Sequence, residues 1–101
     1  MKIEILTFEG CPNAQAAREL VERVIADVGT DVELAHVTVP DPDAAERLRF
    51  LGSPTIRVDG RDVEPGAEER REYVLACRIY RTERGIVGTP DERWLRDALA
   101  A

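Results

Sequence analysis

Two cysteines are the residues of this 101-residue chain best suited to covalent chemistry. Cys11 stands in Phe8-Glu9-Gly10-Cys11-Pro12-Asn13-Ala14, where an apolar stretch gives way to a helical pattern. Gly10 permits a tight turn, and Pro12 suits a first helical position, where a missing N–H costs nothing. Cys11 is therefore expected at the helix N-cap, beside unpaired backbone N–H groups and the positive end of the helix dipole. That setting favours thiolate over thiol and makes the sulfur a nucleophile. Glu9 reads as a solvated loop acid, although a carboxylate that close would oppose thiolate formation. Asn13 is placed to hydrogen-bond locally at the helix start. A second marker lies about forty residues on, at Gly52-Ser53-Pro54-Thr55, where a Ser-Pro step opens another strand.

Cys77 is the other thiol. If residues 73 to 80 form a strand, Leu75, Cys77 and Ile79 share one face. Cys77 then reads first as a core cysteine among aliphatics. The sharper alternative is that it reaches Cys11, as a resolving thiol or as a second soft ligand. A bridge would need Cα atoms within ~7 Å. His36, mid-strand, has nothing to pair it with the thiol. Trp94, Tyr73 and Tyr80 read as packing residues.

The elements that must position these groups follow from periodicity. Ile3, Ile5, Leu6 and Phe8 mark a strand over 2 to 8, apolar on both faces and so central. Ala17, Leu20, Val21, Val24, Ile25 and Val28 form one helical stripe within 12 to 28, closed by Gly29. Residues 32 to 39 are rich in β-branched side chains and read as a second strand. Strand, helix and strand make a βαβ unit with parallel strands and a right-handed crossover. Asp41 caps a short helix that starts at Pro42 and runs to about Leu51, with Gly52 ending it. Its inward stripe is Ala44, Ala45, Leu48 and Leu51. Thr55 to Val58 is a third strand, closed by Asp59-Gly60, with a brief return at 61 to 63. Residues 67 to 72 read as one helical turn or a solvated loop. Residues 73 to 80 read as a strand antiparallel to the third, with a helix over 67 to 77 as the alternative. Thr89-Pro90-Asp91-Glu92 forms a capping box for a last helix to about Leu99, burying Trp94, Leu95, Ala98 and Leu99.

Length and composition set bounds. The chain is expected to be one domain, residues 1–101, with a modest core. A net charge of −6 speaks against nucleic acid or an anionic membrane as partner. No apolar run approaches the ~20 residues that span a bilayer. The N-terminus has too short an apolar core for a signal peptide, so a cytoplasmic setting with reduced thiols is expected.

The order βαβ, helix, β-hairpin, helix, with the two motifs in these places, resembles thioredoxin-like proteins over nearly the whole chain. The resemblance implies a thioredoxin-like α/β fold, with a mixed four-stranded sheet flanked by helices. In that family the first cysteine of a Cys-x-x-Cys motif is the nucleophile. A cis-proline faces it, and the residue before that proline offers its backbone to an extended substrate. Carried over, Cys11 matches the nucleophile, Pro54 the cis-proline and Ser53 the residue before it. Ala14 stands where the family has its second cysteine. The chain is thus similar to monothiol variants among small bacterial thioredoxin-like proteins, some of which are selenoproteins or labelled alkylmercury lyase-like. The lyase activity is not carried over.

The expected function is thiol redox chemistry, with Cys11 attacking a disulfide or peroxide to give a mixed disulfide or sulfenic acid. Resolution would come from Cys77, from small thiols or from another protein. Ser53 and Thr55 are expected to pair with an extended peptide, and Pro54, Pro12 and Asn13 to line the same site. Partners would be protein or small-molecule disulfides, thiols or peroxides, with no cofactor and no resident metal. Two other classes stay open: a soft-metal transfer protein holding its cargo between Cys11 and Cys77, and a non-catalytic interaction module.

Overall fold

The computed structural model describes residues 1–29 and 31–100. Strand β1 (Lys2–Thr7) leads into helix α1 (Ala14–Val28), then β2 (Glu33–Thr38) and a short α2 (Pro42–Arg47). Strands β3 (Thr55–Val58) and β4 (Arg61–Asp62) form a hairpin, followed by a single 3-10 turn at Ala67–Glu69. A second small hairpin, β5 (Tyr80–Thr82) and β6 (Gly85–Val87), precedes α3 (Glu92–Ala100). Four strands form one mixed sheet in the order β2-β1-β3-β4. β1 is parallel to β2, with Ile5 opposite His36, and antiparallel to β3, with Ile5 opposite Ile56. The βαβ reading and the central place of β1 hold.

β1 is central because both its faces are apolar. Ile3 and Ile5 pack with Ala17, Leu20, Val21 and Val24 of α1 and Leu95 and Leu99 of α3. Leu6 packs on the other side with Val39, Ala44, Ala45 and Phe50. Within α1 the buried residues recur at i, i+3, i+4 and i+7, the spacing of one helical face. Val28, expected on that stripe, is the last residue of the helix and is exposed. Gly29 closes α1 in the left-handed region at φ 64°, its N–H donating to the Ile25 carbonyl.

Several boundaries differ from expectation. α1 starts at Ala14 with Asn13 as N-cap, so Pro12 lies in the turn before the helix and Cys11 is not the cap. α2 begins as expected, with Asp41 accepting from the Ala44 N–H at 2.8 Å. It ends at Arg47, however, because Arg49 turns left-handed at φ 55° and swings Phe50 into the core. Gly52 therefore does not end a helix. A Cβ there would sit 2.9 Å from the Cβ of Arg78 and 3.1 Å from the Ala76 carbonyl, so the glycine lets another segment approach. α3 starts at Glu92, and Asp91, not Thr89, accepts from the Arg93 N–H. Glu92 bonds Arg23 and Arg96 instead of completing a capping box.

The largest departure is at 73 to 80. Residues 73 to 79 form neither a strand antiparallel to β3 nor a helix, and Tyr80 opens the separate β5–β6 hairpin; the fourth strand of the sheet is β4. The segment runs irregularly and meets the rest through one parallel bridge, Ser53 to Cys77. Its side chains alternate: Arg78 and Tyr80 are buried, whereas Cys77 and Ile79 are exposed. Buried Arg78 decides this. Its guanidinium bonds Asp62 through two nitrogens, at 2.7 and 3.2 Å, and also Glu64 at 2.7 Å and Thr55 at 2.9 Å. It also lies 4.4 Å from the centre of the Tyr80 ring. Burial works against the charged form, but the Asp62 hydrogen bond and the nearby Tyr80, Asp62 and Glu64 outweigh it and hold the proton more tightly than usual.

Two measurements test this account. Arg78→Ala strands two largely buried carboxylates and should cost about 3–5 kcal/mol in urea unfolding, whereas Arg81→Ala on exposed β5 should stay within about 0.5 kcal/mol. The second concerns α3. Hydrogen bonds from Arg23 and Arg96 hold the Glu92 carboxyl below the usual carboxylate range. A depressed folded-state pKa stabilises fully above the unfolded value and is lost as pH falls from there through the folded one. Glu92→Gln should therefore lower the melting temperature near neutral pH, and its gap to the wild type should narrow below about pH 4.

Candidate functional site

The site forms where the C-terminal end of β1 meets the start of β3. Leu6 of β1 pairs with Thr55 of β3, which brings the loop after β1 beside the loop before β3. In the first loop the Cys11 N–H donates to the Phe8 carbonyl at 3.2 Å. The Cys11 carbonyl accepts from the Ala14 N–H at 3.3 Å. These two bonds fold the turn that delivers the cysteine to the start of α1. The first turn of α1 contains no acid, so no carboxylate of the helix itself offsets the positive end of its dipole. Cys11 is buried, at 9% exposure, between exposed Gly10 and Pro12.

In the second loop the Ser53–Pro54 peptide bond is cis. Ser53, Pro54 and Thr55 are all buried. The Ser53 hydroxyl accepts from the Phe8 N–H at 3.4 Å, which ties the proline loop to the cysteine loop. Thr55 donates its hydroxyl to the Gly52 carbonyl at 2.6 Å and accepts from Arg78. Tyr80 donates to the Pro54 carbonyl at 2.5 Å. Burial pushes the Tyr80 phenol well above its usual range, so it stays protonated as a donor.

The backbone of Ser53 is already in use. Its N–H donates to the Ala76 carbonyl at 2.8 Å, and its carbonyl accepts from the Arg78 N–H at 2.9 Å. The edge expected to receive an extended peptide thus carries an irregular segment of the same chain. Cys77 is the residue between those two bonds. It is exposed, not a core cysteine among aliphatics, because the anchoring of Arg78 and Tyr80 leaves its alternate position facing out. Cys77 thus lies opposite Ser53, the residue whose hydroxyl meets the cysteine loop.

The other expected residues separate clearly. Asn13 makes no capping hydrogen bond with its side chain. Its amide instead lies against Gly88, where any Cβ would collide with it. Glu9 is exposed, as is His36 on β2. Tyr80 does more than pack, and Arg78 was not foreseen at all. The signal for it was a lone cation inside the apolar run 73–80, with Asp62 and Glu64 two residues apart just upstream.

No protein-family model matches the chain. The chain is 35% identical over 80 residues to the thioredoxin of Methanocaldococcus jannaschii, a match that covers 77% of this chain and 93% of that protein. Together with a four-stranded mixed sheet flanked by helices, that degree of identity over nearly the whole of the relative places this chain in the thioredoxin family.

Proposed function

We propose that this protein carries out thiol–disulfide exchange, with Cys11 as nucleophile and Cys77 as the resolving thiol that replaces a partner at Ala14. Membership of the thioredoxin family supports thiol redox chemistry in general. The observation that carries the finer reading is the Ser53–Cys77 bridge. It lays an exposed thiol along the residue whose hydroxyl meets the Phe8–Cys11 loop.

The thiolate of Cys11 attacks one sulfur of a disulfide, forming a mixed disulfide and expelling the other sulfur as a thiolate, which takes up a proton. Cys77, deprotonated, then attacks the Cys11 sulfur. The Cys11–Cys77 bond forms and the second substrate thiolate leaves. The substrate gains two electrons and the protein loses two. Low-molecular-weight thiols return the protein disulfide to the dithiol in a reducing compartment such as the cytoplasm. With the Ser53 edge filled, substrates reach Cys11 without adding a strand there. This favours compact disulfides over extended peptides.

The experiment is incubation with oxidised glutathione near neutral pH, read by intact mass. Wild type should release two glutathione molecules per chain and become an internal disulfide, which needs the two Cα atoms within about 7 Å. Cys77→Ser should accumulate a glutathione adduct on Cys11, and Cys11→Ser should release no glutathione. Release by Cys11→Ser at the wild-type rate would overturn the nucleophile. Failure of Cys77→Ser to accumulate the adduct would remove Cys77 from the reaction.

A further inference from the structure

Away from the cysteine loop, the end of α2, the β3–β4 hairpin and the chain from 67 to 73 enclose a cleft of about 220 Å³. Five arginines line it: Arg49, Arg57, Arg61, Arg70 and Arg71. This is unexpected in a chain of net charge −6, and it concentrates more than a third of its 14 basic residues. The two acids in the lining do not neutralise them. Asp62 is bound by both terminal nitrogens of Arg78, and Glu68 is a single exposed carboxylate.

Four of these five arginines form no ion pair with a carboxylate among the described residues. Elsewhere on the surface Arg23, Arg93 and Arg96 each bond a carboxylate, whereas Arg18, Arg47, Arg81 and Arg84 form no such pair among the described residues. In the cleft, among the described residues, only Arg70 bonds a carboxylate, and its partner Glu64 is shared with Arg78. Half-buried Arg57 is held from behind, donating to the Leu48 carbonyl at 2.7 Å and the Arg49 carbonyl at 3.1 Å. The left-handed turn at Arg49 belongs to this arrangement, a conformation uncommon for a residue with a side chain. Among the described residues the Arg71 side chain bonds only the Glu68 carbonyl, at 3.4 Å. Neutral carbonyls orient guanidinium groups without cancelling their charge, so the positive potential is left for a ligand.

We infer that this cleft binds a small phosphate-bearing molecule. Several guanidinium forks converging on one cavity match a group with three or more anionic oxygens, since each fork takes two oxygens. The volume lies below the roughly 300–1,000 Å³ of drug-sized pockets, which limits the ligand to a compact one. Leu48, Leu51 and Tyr73 supply an apolar wall for a short organic part.

Calorimetric titration of the full chain with inorganic pyrophosphate, at low and constant ionic strength, tests the site. Saturable binding at one per chain is expected, with a Kd below about 1 mM. Replacing exposed Arg49 and Arg61 together by Gln should weaken it about tenfold or more, the effect of losing charged hydrogen bonds. Arg81→Gln, an exposed arginine outside the cleft, should leave it unchanged; circular dichroism confirms that each variant is folded. No saturable heat would overturn the inference, as would an equal loss in Arg81→Gln. Succinate binding as tightly as pyrophosphate would overturn the phosphate assignment.

Discussion

The structure depends on one buried cation. Arg78 is 3% exposed, and a guanidinium that deep must have its charge and its donors met or the fold cannot hold it there. Asp62 and Glu64 come from the end of the β3–β4 hairpin, Thr55 from the start of β3, and Tyr80 from its own segment. Four groups, three chain segments and one charge are thereby fixed together. Only its Nε lacks a partner among the described residues.

That constraint reaches the thiols. With Arg78 anchored, the N–H preceding its side chain meets the Ser53 carbonyl and Ala76 meets the Ser53 N–H. The proline loop is therefore supported from beneath by Thr55 and Tyr80 and along its edge by residues 76–78. Cys77 is exposed for the same reason that Arg78 is buried: in an extended segment, neighbours point opposite ways. A position that looks apolar and internal by composition becomes external once the next residue is drawn inward. The backbone edge of Ser53 is filled from within, and the exchange chemistry proposed above uses the thiol held there.

The same pairing logic sorts the surface. Where arginines meet acids, as Arg23 does Glu92 and Arg96 does Asp27, they join α1 to α3 on one face of the sheet and contribute modestly. Where they meet carbonyls instead, as at Arg57, charge accumulates. An acidic protein can thus carry a basic cleft, because net charge says nothing about where neutralisation happens.

Local pattern sufficed for the elements whose partners lie close in the chain. The two-sided apolar run of β1, the stripe of α1 with its closing Gly29, the Asp41-Pro42 start of α2 and the Asp59-Gly60 turn were all legible from the residues. So was the thioredoxin-like order of elements, and with it the pairing of Cys11 with the Ser53-Pro54 loop as the place to look. Helix ends were less legible, because the turn at Arg49 and the starts at Ala14 and Glu92 answer to tertiary packing. The segment 73–80 was misread for a definite reason. Its apolar residues suggested a strand, whereas one long-range ion network, between residues sixteen and fourteen positions apart, determined which side chains face inward. Sequence names the charges and the thiols; only the folded chain decides which of them meet, because burial makes pairing obligatory and exposure leaves it optional.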